Sequence, residues 1–346
     1  MKISNLQLNI RELLLRCLNE VPAVNNLRDV VDEAESHADL VIEADTDQET
    51  FRLNVGVRSN GQPRYAREAV ALLSMESARS SDNTYPVFAA PFVSKSAAEI
   101  CRDAGAGYID LAGNCRLAFD GIYIERQGRP NRFVSRRSLR SLYETRSSRV
   151  LRALLFDPNL RWKLTDLREA AGVSIGQVFN VKKALVDREW AEFNKNGLKL
   201  TQPDRVLSDW GKHYTCSKNT LFHFYSPENP VELEIKMSGV FSENGLRYAM
   251  TSFSASARLA STGRQGVYAY IDGDVDLAAD LAGFEPTDSP PNVTLMLPYD
   301  EGVFFGMQEI GGMNVVSPIQ AYLDLVGLEG IGGEAAEILF RQVIQN

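Results

Sequence analysis

One predicted helix carries polar side chains that could recognise nucleic-acid bases. Apolar residues recur at helical spacing from Ile175 to Asp187, which predicts a helix with one face against a core. The polar residues outside that face are Ser174, Gln177, Asn180 and Lys183. Glutamine and asparagine can form two hydrogen bonds with an adenine edge, and serine and lysine can bind phosphates or guanine acceptors. The pattern predicts a recognition helix for double-stranded DNA.

The segments before this helix predict the rest of a winged helix-turn-helix domain, which we place at residues 146–212. A helix is expected over residues 148–156, followed by a short helix Asp166–Ala171 that Thr165 should cap. The string Gly172–Ser174 then forms the turn between helices, with its serine as the cap of the recognition helix.

A wing is expected after the recognition helix. Trp190–Phe193 and Leu198–Leu200 have the alternation of short strands, and the polar string Asn194–Gly197 between them predicts a tight turn. The wing carries Lys195 and Lys199, which we expect to bind phosphates.

The charge of this region is opposite to that of the whole chain. Residues 126–199 carry 17 basic and seven acidic side chains, a net charge of +10, whereas the 346-residue chain has a net charge of −8. Winged helices also serve as protein-interaction modules, but that role needs no such positive field. The charge therefore favours a nucleic acid as the partner.

An arginine-rich segment precedes the winged helix. Residues 126–140 contain six arginines and no carboxylate, so this segment cannot form a core of its own. We expect it to be an arm that follows the DNA backbone or enters the minor groove, and a solvated linker is the alternative. The arm residues with this expected role are Arg132, Arg136, Arg137 and Arg140.

The first 128 residues alternate between predicted helices and strands. The expected order is a helix over the leucine-rich start, a hairpin, and then helix, strand, helix and strand. The segments after the first helix are strands Ala38–Ala44 and Thr50–Val57, helix Pro63–Ala78 with Tyr65, Ala69, Leu72, Leu73 and Met75 buried, strand Tyr85–Pro91, helix Ser94–Ala104 and strand Gly107–Ala112.

This order resembles the core of the PD-(D/E)xK nuclease fold, in which two acidic residues and a lysine hold a metal ion near the scissile phosphate. The resemblance would make Asp39 the first carboxylate and place Gly56 and Arg58 where the second carboxylate and the lysine belong. Glycine cannot ligate a metal ion, and arginine stays charged. We expect a degenerate, inactive nuclease-like domain. The alternative is a metal-dependent DNA nuclease whose ligands have migrated, with Glu43 and Glu68 as candidates.

Two other acidic strings have more than one interpretation. In Gly107–Asn114, Asp110 could belong to a polar site, but we expect it to accept hydrogen bonds from the amides of a tight turn. The string Asp272, Asp274 and Asp276 could suit calcium or a nucleotidyltransferase site. It lacks the glycine and the distant glutamate of a calcium loop, so we expect a helix cap.

The chain divides by pattern into a nuclease-like α/β domain at 1–128, a basic linker at 129–145, the winged helix-turn-helix at 146–212 and a C-terminal α/β domain at 213–346. The C-terminal domain mixes the two element types, which suits an α/β or α+β fold. Its expected elements are strands Glu232–Lys236, Val267–Ile271 and Val293–Leu297, helix Tyr248–Leu259, a helix that Ser317 caps with Pro318 at its first position, and helix Gly333–Ile344.

Composition limits the remaining choices. No apolar run approaches the roughly 20 residues that span a bilayer, so we expect a cytoplasmic protein without a membrane partner. The four cysteines are scattered, which argues against a zinc site and a disulfide framework. We assign no catalytic residue, metal ligand or cofactor. No heptad pattern specifies a homodimer, and the oligomeric state stays open.

Several short strings together resemble the transcriptional regulators of the AbiEi antitoxin type, from type IV toxin-antitoxin systems. The strings lie at residues 108–114, 167–174, 316–325 and 333–337. The resemblance implies a DNA-binding repressor of its own operon. It also implies a C-terminal domain that opposes a nucleotidyltransferase toxin without forming a stable complex with it.

Overall fold

The computed structural model describes residues 3–30, 37–47, 49–78, 83–133, 142–287, 290–328 and 330–344. Within these ranges the fold is mixed α/β, with twelve α-helices and sixteen β-strands. The chain divides into two compact units. Unit 1 comprises residues 1–138 and 185–189, and unit 2 comprises residues 139–184 and 190–346.

A seven-stranded sheet forms the centre of unit 1, and its strands lie side by side in sequence order. Strands β3, β4 and β5 are parallel, and the other neighbours are antiparallel. The parallel pairs require crossovers, which helices α2 and α3 provide. The strands are β1 Val24–Val30, β2 Leu40–Thr46, β3 Thr50–Val57, β4 Thr84–Ala90, β5 Gly107–Asp110, β6 Cys115–Phe119 and β7 Ile122–Arg126; the helices are α1 Ile3–Asn19, α2 Pro63–Ser77 and α3 Lys95–Asp103.

The sheet of unit 1 is buried on both faces. On β4, Val87 and Ala89 pack in the cluster that includes α1, whereas Phe88 and Ala90 pack with α2 and α3. Successive strand residues point to opposite faces, so the sheet separates two helical layers. The result is a three-layer α/β/α arrangement.

The order expected for unit 1 is confirmed in most elements and wrong in two details. Strand β1 was not expected, because its apolar residues do not alternate with polar ones; it is a half-exposed edge strand that pairs with β2 alone. On α2 the buried face is Pro63, Ala66, Ala69, Val70 and Leu73, and Met75 is exposed. The expected face was rotated, because Met75 and Leu72 are as apolar as the residues that pack.

Unit 2 begins with three helices and a hairpin, followed by a second seven-stranded sheet whose strand order is β13-β10-β14-β12-β11-β16-β15. The end of helix α6, from Leu185 onward, belongs to unit 1. The first elements are α4 Thr145–Phe156, α5 Leu164–Ala171, α6 Ile175–Asp187, β8 Ala191–Asn194, β9 Gly197–Leu200 and α7 Pro203–His213. The later helices are α8 Pro230–Glu243, α9 Ser252–Leu259, α10 Val275–Ala282, α11 Pro318–Gly327 and α12 Gly333–Leu339, and the strands are β10 Thr220–Tyr225, β11 Arg247–Met250, β12 Val267–Asp272, β13 Glu285–Pro286, β14 Val293–Leu297, β15 Gln308–Ile310 and β16 Met313–Val315.

Two expectations for the C-terminal region are wrong. The segment Glu232–Lys236 lies in helix α8, where Asn229 caps the first turn and Leu233, Met237 and Phe241 are buried at four-residue spacing. Its short alternating string resembles a strand only when it is considered apart from that longer periodicity. The segment Tyr248–Leu259 is strand β11 followed by helix α9.

Helix α4 is attached to the rest of unit 2 by its arginines. Arg149 donates to both oxygens of Asp300 at 2.5–3.0 Å and to Glu301 at 2.9 Å. The hydrogen bonds with Asp300 raise the pKa of Arg149, which keeps the guanidinium charged. One turn further on, Arg152 is buried and donates to Oε1 of Gln320 on α11 at 2.6 and 3.1 Å. Both arginines therefore serve the internal structure of unit 2.

Candidate nucleic-acid interface

A short turn connects helices α5 and α6. Gly172 ends α5 in the left-handed conformation, with φ 59°, and its amide bonds to the carbonyls of the preceding turn. The Oγ of Ser174 accepts a hydrogen bond from the amide of Gln177 at 3.3 Å, so Ser174 caps α6 as expected. The expected cap of α5 is wrong, because α5 begins at Leu164, one residue before Thr165.

The exposed stripe of α6 runs through positions 176, 179, 180 and 183, which share one helical face. It contains Asn180 and Lys183, two of the four residues expected to contact DNA. Gln177 is half-buried, and its side-chain amide donates to Oγ of Ser147 on α4 at 2.5 Å. The structure thus groups Asn180 with Lys183 and turns the amide group of Gln177 toward α4.

An apolar and cationic patch that includes position 179 of this stripe was not expected from the sequence. Phe179 on α6 and Phe193 on β8 are 47% and 45% exposed. The ammonium of Lys182 lies 4.7 Å from the ring centre of Phe179 and 4.4 Å from that of Phe193. In the sequence, Phe179 directly follows Val178 and therefore lies off the apolar face of the helix. This spacing was the signal that could have predicted its exposure.

The hairpin β8–β9 is fixed against the connection between α4 and α5. Trp162 and Leu198 exchange two backbone hydrogen bonds of 2.8 Å, which add a third strand position to the hairpin. Gly197 has φ +120°, and a Cβ atom there would lie 2.3 Å from the carbonyl oxygen of Trp162. The turn exposes Lys195, and Lys199 on β9 is half-buried.

Part of the positive charge of residues 126–199, the basic block, is used inside the protein. Arg149 and Arg152 bind partners within unit 2, and Arg161 pairs with Glu192 of the hairpin. Arg132 is exposed. The remaining arm residues, Arg136, Arg137 and Arg140, lie outside the described part of the chain.

The residues expected at a nuclease-like metal site are held by one another. The guanidinium of Arg58 donates to Oδ2 of Asp39 at 2.8 Å, and the amide of Val57 donates to the same oxygen at 2.8 Å. A Cβ atom on Gly56 would lie 3.2–3.3 Å from Leu73 and Ala69 of α2. Position 56 therefore faces a packed helix, and among the described residues no group of three or more His, Cys, Asp or Glu side chains could hold a metal ion.

The two other acidic strings act as expected within turns and caps. Asp110 is buried and accepts hydrogen bonds from the amides of Asn114 at 2.9 Å and Val93 at 3.1 Å. Asn114 in turn binds both backbone polar groups of Arg129, at 2.8 and 3.1 Å, and so fixes the start of the arginine-rich segment. Asp274 caps α10 through the amides at positions 276 and 277.

No known protein family and no curated protein matches the sequence. A similar solved structure is a repair endonuclease from Pyrococcus abyssi, at 12% identity and a TM-score of 0.21, over 29% of this chain. The match spans 46% of the endonuclease, which is less than half of its length. Separately, none of the described helices is long and apolar enough to cross a membrane.

Proposed function

We propose that the protein is a DNA-binding transcriptional regulator and that residues 145–200 form a winged helix-turn-helix. The observation that carries the proposal is the arrangement of three helices, a three-residue turn before α6, and a hairpin that pairs with the α4–α5 connection. This order of elements is the one in which a recognition helix enters the major groove.

The exposed stripe of α6 supports a division of roles in base recognition. Asn180 can contact an adenine edge, and Lys183 can contact guanine acceptors or phosphate. Phe179 adds an apolar surface that suits a thymine methyl group. Gln177 lies at the edge of the stripe. Its side-chain nitrogen donates to Ser147, so its side-chain oxygen would be the atom that accepts a hydrogen bond from a base.

Phosphate contacts would come from the start of α6, the hairpin and the arm. Ser174 is exposed at the N-terminus of α6, where backbone amides and the helix dipole favour an anion. Lys195 and Lys199 lie on the hairpin, and Arg132 begins the arm that Arg136, Arg137 and Arg140 continue. These contacts position the domain on DNA, and the base contacts select the sequence.

We further propose that the protein is an antitoxin of a type IV toxin-antitoxin system and represses its own operon. The support is the resemblance of its short strings to AbiEi-type regulators. On this proposal, the antitoxin domain would be the C-terminal domain at residues 213–346, which belongs to the same unit as α4 and is bound to it through Asp300 and Gln320. Rescue of cells that express a nucleotidyltransferase toxin from the neighbouring gene tests this part.

The DNA-binding part is tested by fluorescence anisotropy with the duplex upstream of the protein's own gene and a scrambled duplex. With about six phosphate contacts, log K should fall against log salt with a slope of about −5. Replacing Asn180 and Gln177 with alanine should abolish the preference for the promoter and leave the slope nearly unchanged.

Substitution of the hairpin lysines should instead change the slope of log K against log salt. The variants Lys195→Gln and Lys199→Gln should each weaken binding to both duplexes and reduce the slope by about 1. The matched control is Lys236→Gln, because Lys236 of α8 pairs with Glu228, which precedes the helix, and has no role in the proposal. A slope near zero for the unaltered protein would contradict the proposal.

A further inference from the structure

Unit 1 contains a cleft between helix α3 and the surface of strands β5 to β7. The strand register places Tyr108, Arg116 and Glu125 side by side across the three strands. On α3, Lys95 and Arg102 lie two turns apart on the face that lines the opposite wall. The cleft has a volume of about 390 Å³. This volume is within the range of about 300–1,000 Å³ for small-molecule sites.

One polar side chain that lines the cleft has no hydrogen-bond partner in the described part of the protein. Tyr108 is 3% exposed, and its hydroxyl forms no hydrogen bond with any residue in the described ranges. Tyr85, on the same sheet, has its hydroxyl satisfied by the amide of Ala118 at 3.0 Å. Burial also raises the pKa of Tyr108, so the hydroxyl keeps its proton and can donate it. The hydroxyl faces the open cleft and has no competing protein partner among the described residues, so it can donate a hydrogen bond to a ligand there.

The charged residues around the cleft favour an anion. The two acidic side chains in the lining are Glu99 and Glu125, and Glu125 already accepts hydrogen bonds from Tyr123 at 2.7 Å and Gln127 at 2.6 Å. The basic side chains outnumber them, and they are Lys95, Arg102, Arg116 and Arg129. Guanidinium groups bind carboxylates and phosphates through paired hydrogen bonds.

We propose that this cleft binds a small organic anion, a phosphate or carboxylate joined to an apolar or aromatic group. Arg116 and Arg102 hold the anionic group, and the hydroxyl of Tyr108 donates a hydrogen bond to it. Phe92 and Val93 also line the cleft and provide contacts for the apolar part of the ligand. The site is made entirely of residues from unit 1, and it is distinct from the DNA-contacting residues proposed on α6 and the hairpin.

Isothermal titration calorimetry on the full chain, without DNA, tests the site. The phosphate probes are adenosine 5′-monophosphate and phenyl phosphate, the carboxylate probe is benzoate, and adenosine and inorganic phosphate each lack one half of the ligand. At least one of the three complete probes should bind at least tenfold more tightly than adenosine and inorganic phosphate. The ranking of phenyl phosphate and benzoate distinguishes the two anions.

Single substitutions connect the binding to the named groups. Arg116→Gln should weaken the best probe about tenfold, and Tyr108→Phe should weaken it a few-fold without loss of the aromatic ring. The matched control is Arg64→Gln, an exposed arginine on α2 outside the cleft, which should bind like the unaltered protein. Arg102→Gln, at an exposed position of α3, gives a second reading if Arg116→Gln unfolds. The proposal fails if no probe binds at about 5 mM, or if Tyr108→Phe and Arg102→Gln both bind like Arg64→Gln.

Discussion

The buried arginine of α4 gives the sharpest stability prediction. Arg152 is 1% exposed, and no carboxylate in the described ranges forms a hydrogen bond with it. Its guanidinium donates to Gln320 at 2.6 and 3.1 Å and to Ser148 at 2.9 Å, and it lies 5.0 Å from the ring centre of Trp210. Gln320 continues the network to the buried carboxylate of Asp324 at 2.9 Å.

The substitution Arg152→Met keeps most of the side-chain volume and removes the donors. Two buried acceptors, on Gln320 and Ser148, then lack this partner, at a cost of about 1–3 kcal/mol each, and the cation–π contact is worth about 0.5–2 kcal/mol. The favourable release of a buried charge offsets part of this loss. We expect the free energy of unfolding of unit 2 to fall by about 3 kcal/mol.

Tryptophan fluorescence during urea unfolding measures this change. The protein has three tryptophans, at positions 162, 190 and 210, and all of them belong to unit 2. With an m-value of about 2–3 kcal/mol/M, the midpoint should fall by about 1–1.5 M. The control Arg146→Met makes the same change at an exposed position of the same helix and should shift the free energy by less than about 0.5 kcal/mol.

A double-mutant cycle with Gln320→Leu separates the contact from the general effect of substitution. Because Gln320→Leu removes the acceptor that Arg152→Met leaves unpaired, the double variant should be more stable than the sum of the single changes implies, by at least about 1 kcal/mol. Strict additivity, or equal midpoints for Arg152→Met and Arg146→Met, would refute the reasoning.

Three further predictions follow from local geometry. Gly197→Ala should destabilise unit 2 by about 2 kcal/mol or more in the same urea assay, because the residue has a positive φ and a carbonyl blocks its Cβ, whereas Gly239→Ala, in a helix with open space around it, should have the opposite sign. The pKa of Cys17 is lowered by a hydrogen bond with the thiol of Cys115 and by Arg126, so the pH dependence of its alkylation, followed by mass spectrometry, should have its midpoint below that of an ordinary thiol. Arg126→Gln should move that midpoint upward, and an unchanged midpoint would contradict the role of the guanidinium. Asp39→Asn should lower the free energy of unfolding of unit 1 by about 1 kcal/mol, since an amide is a weaker acceptor for the guanidinium of Arg58. Thermal unfolding followed by circular dichroism measures this change, and no change would show that the ion pair contributes nothing.

Local signals were sufficient where a segment's own residues define its ends. Helix α6 has the bounds expected from its sequence, since Gly172 and Ser174 mark its start with a left-handed cap and a hydrogen-bonding serine. The cap of α11 was predicted for the same reason, because Ser317 and Pro318 are suited to the first positions of a helix.

The local sequence was insufficient where a segment suited two structures equally well and only tertiary packing distinguished them. Helix α8 contains a short alternating string that also suits a strand, and only its distant buried residues decide. The buried face of α2 depends on which apolar side chains meet the sheet, as Val70 does and Met75 does not. The apolar residues of β1, Val24, Leu27 and Val30, recur every third position and do not alternate as in a typical strand, so its pairing with β2 defines it.

The sequence by itself determined the sign and the place of the basic block and the order of helices, turn and hairpin within it. These properties depend on composition and on spacing over a few residues. Only the tertiary structure decided which of those charges face solvent. Arg149 and Arg152 bond to partners 151 and 168 residues away, and Gln177 bonds to a residue 30 positions before it. A charge count treats arginines that face solvent and arginines that are bonded internally in the same way. The difference depends on which groups are close in space, and sequence spacing does not show this for residues that are far apart in the chain.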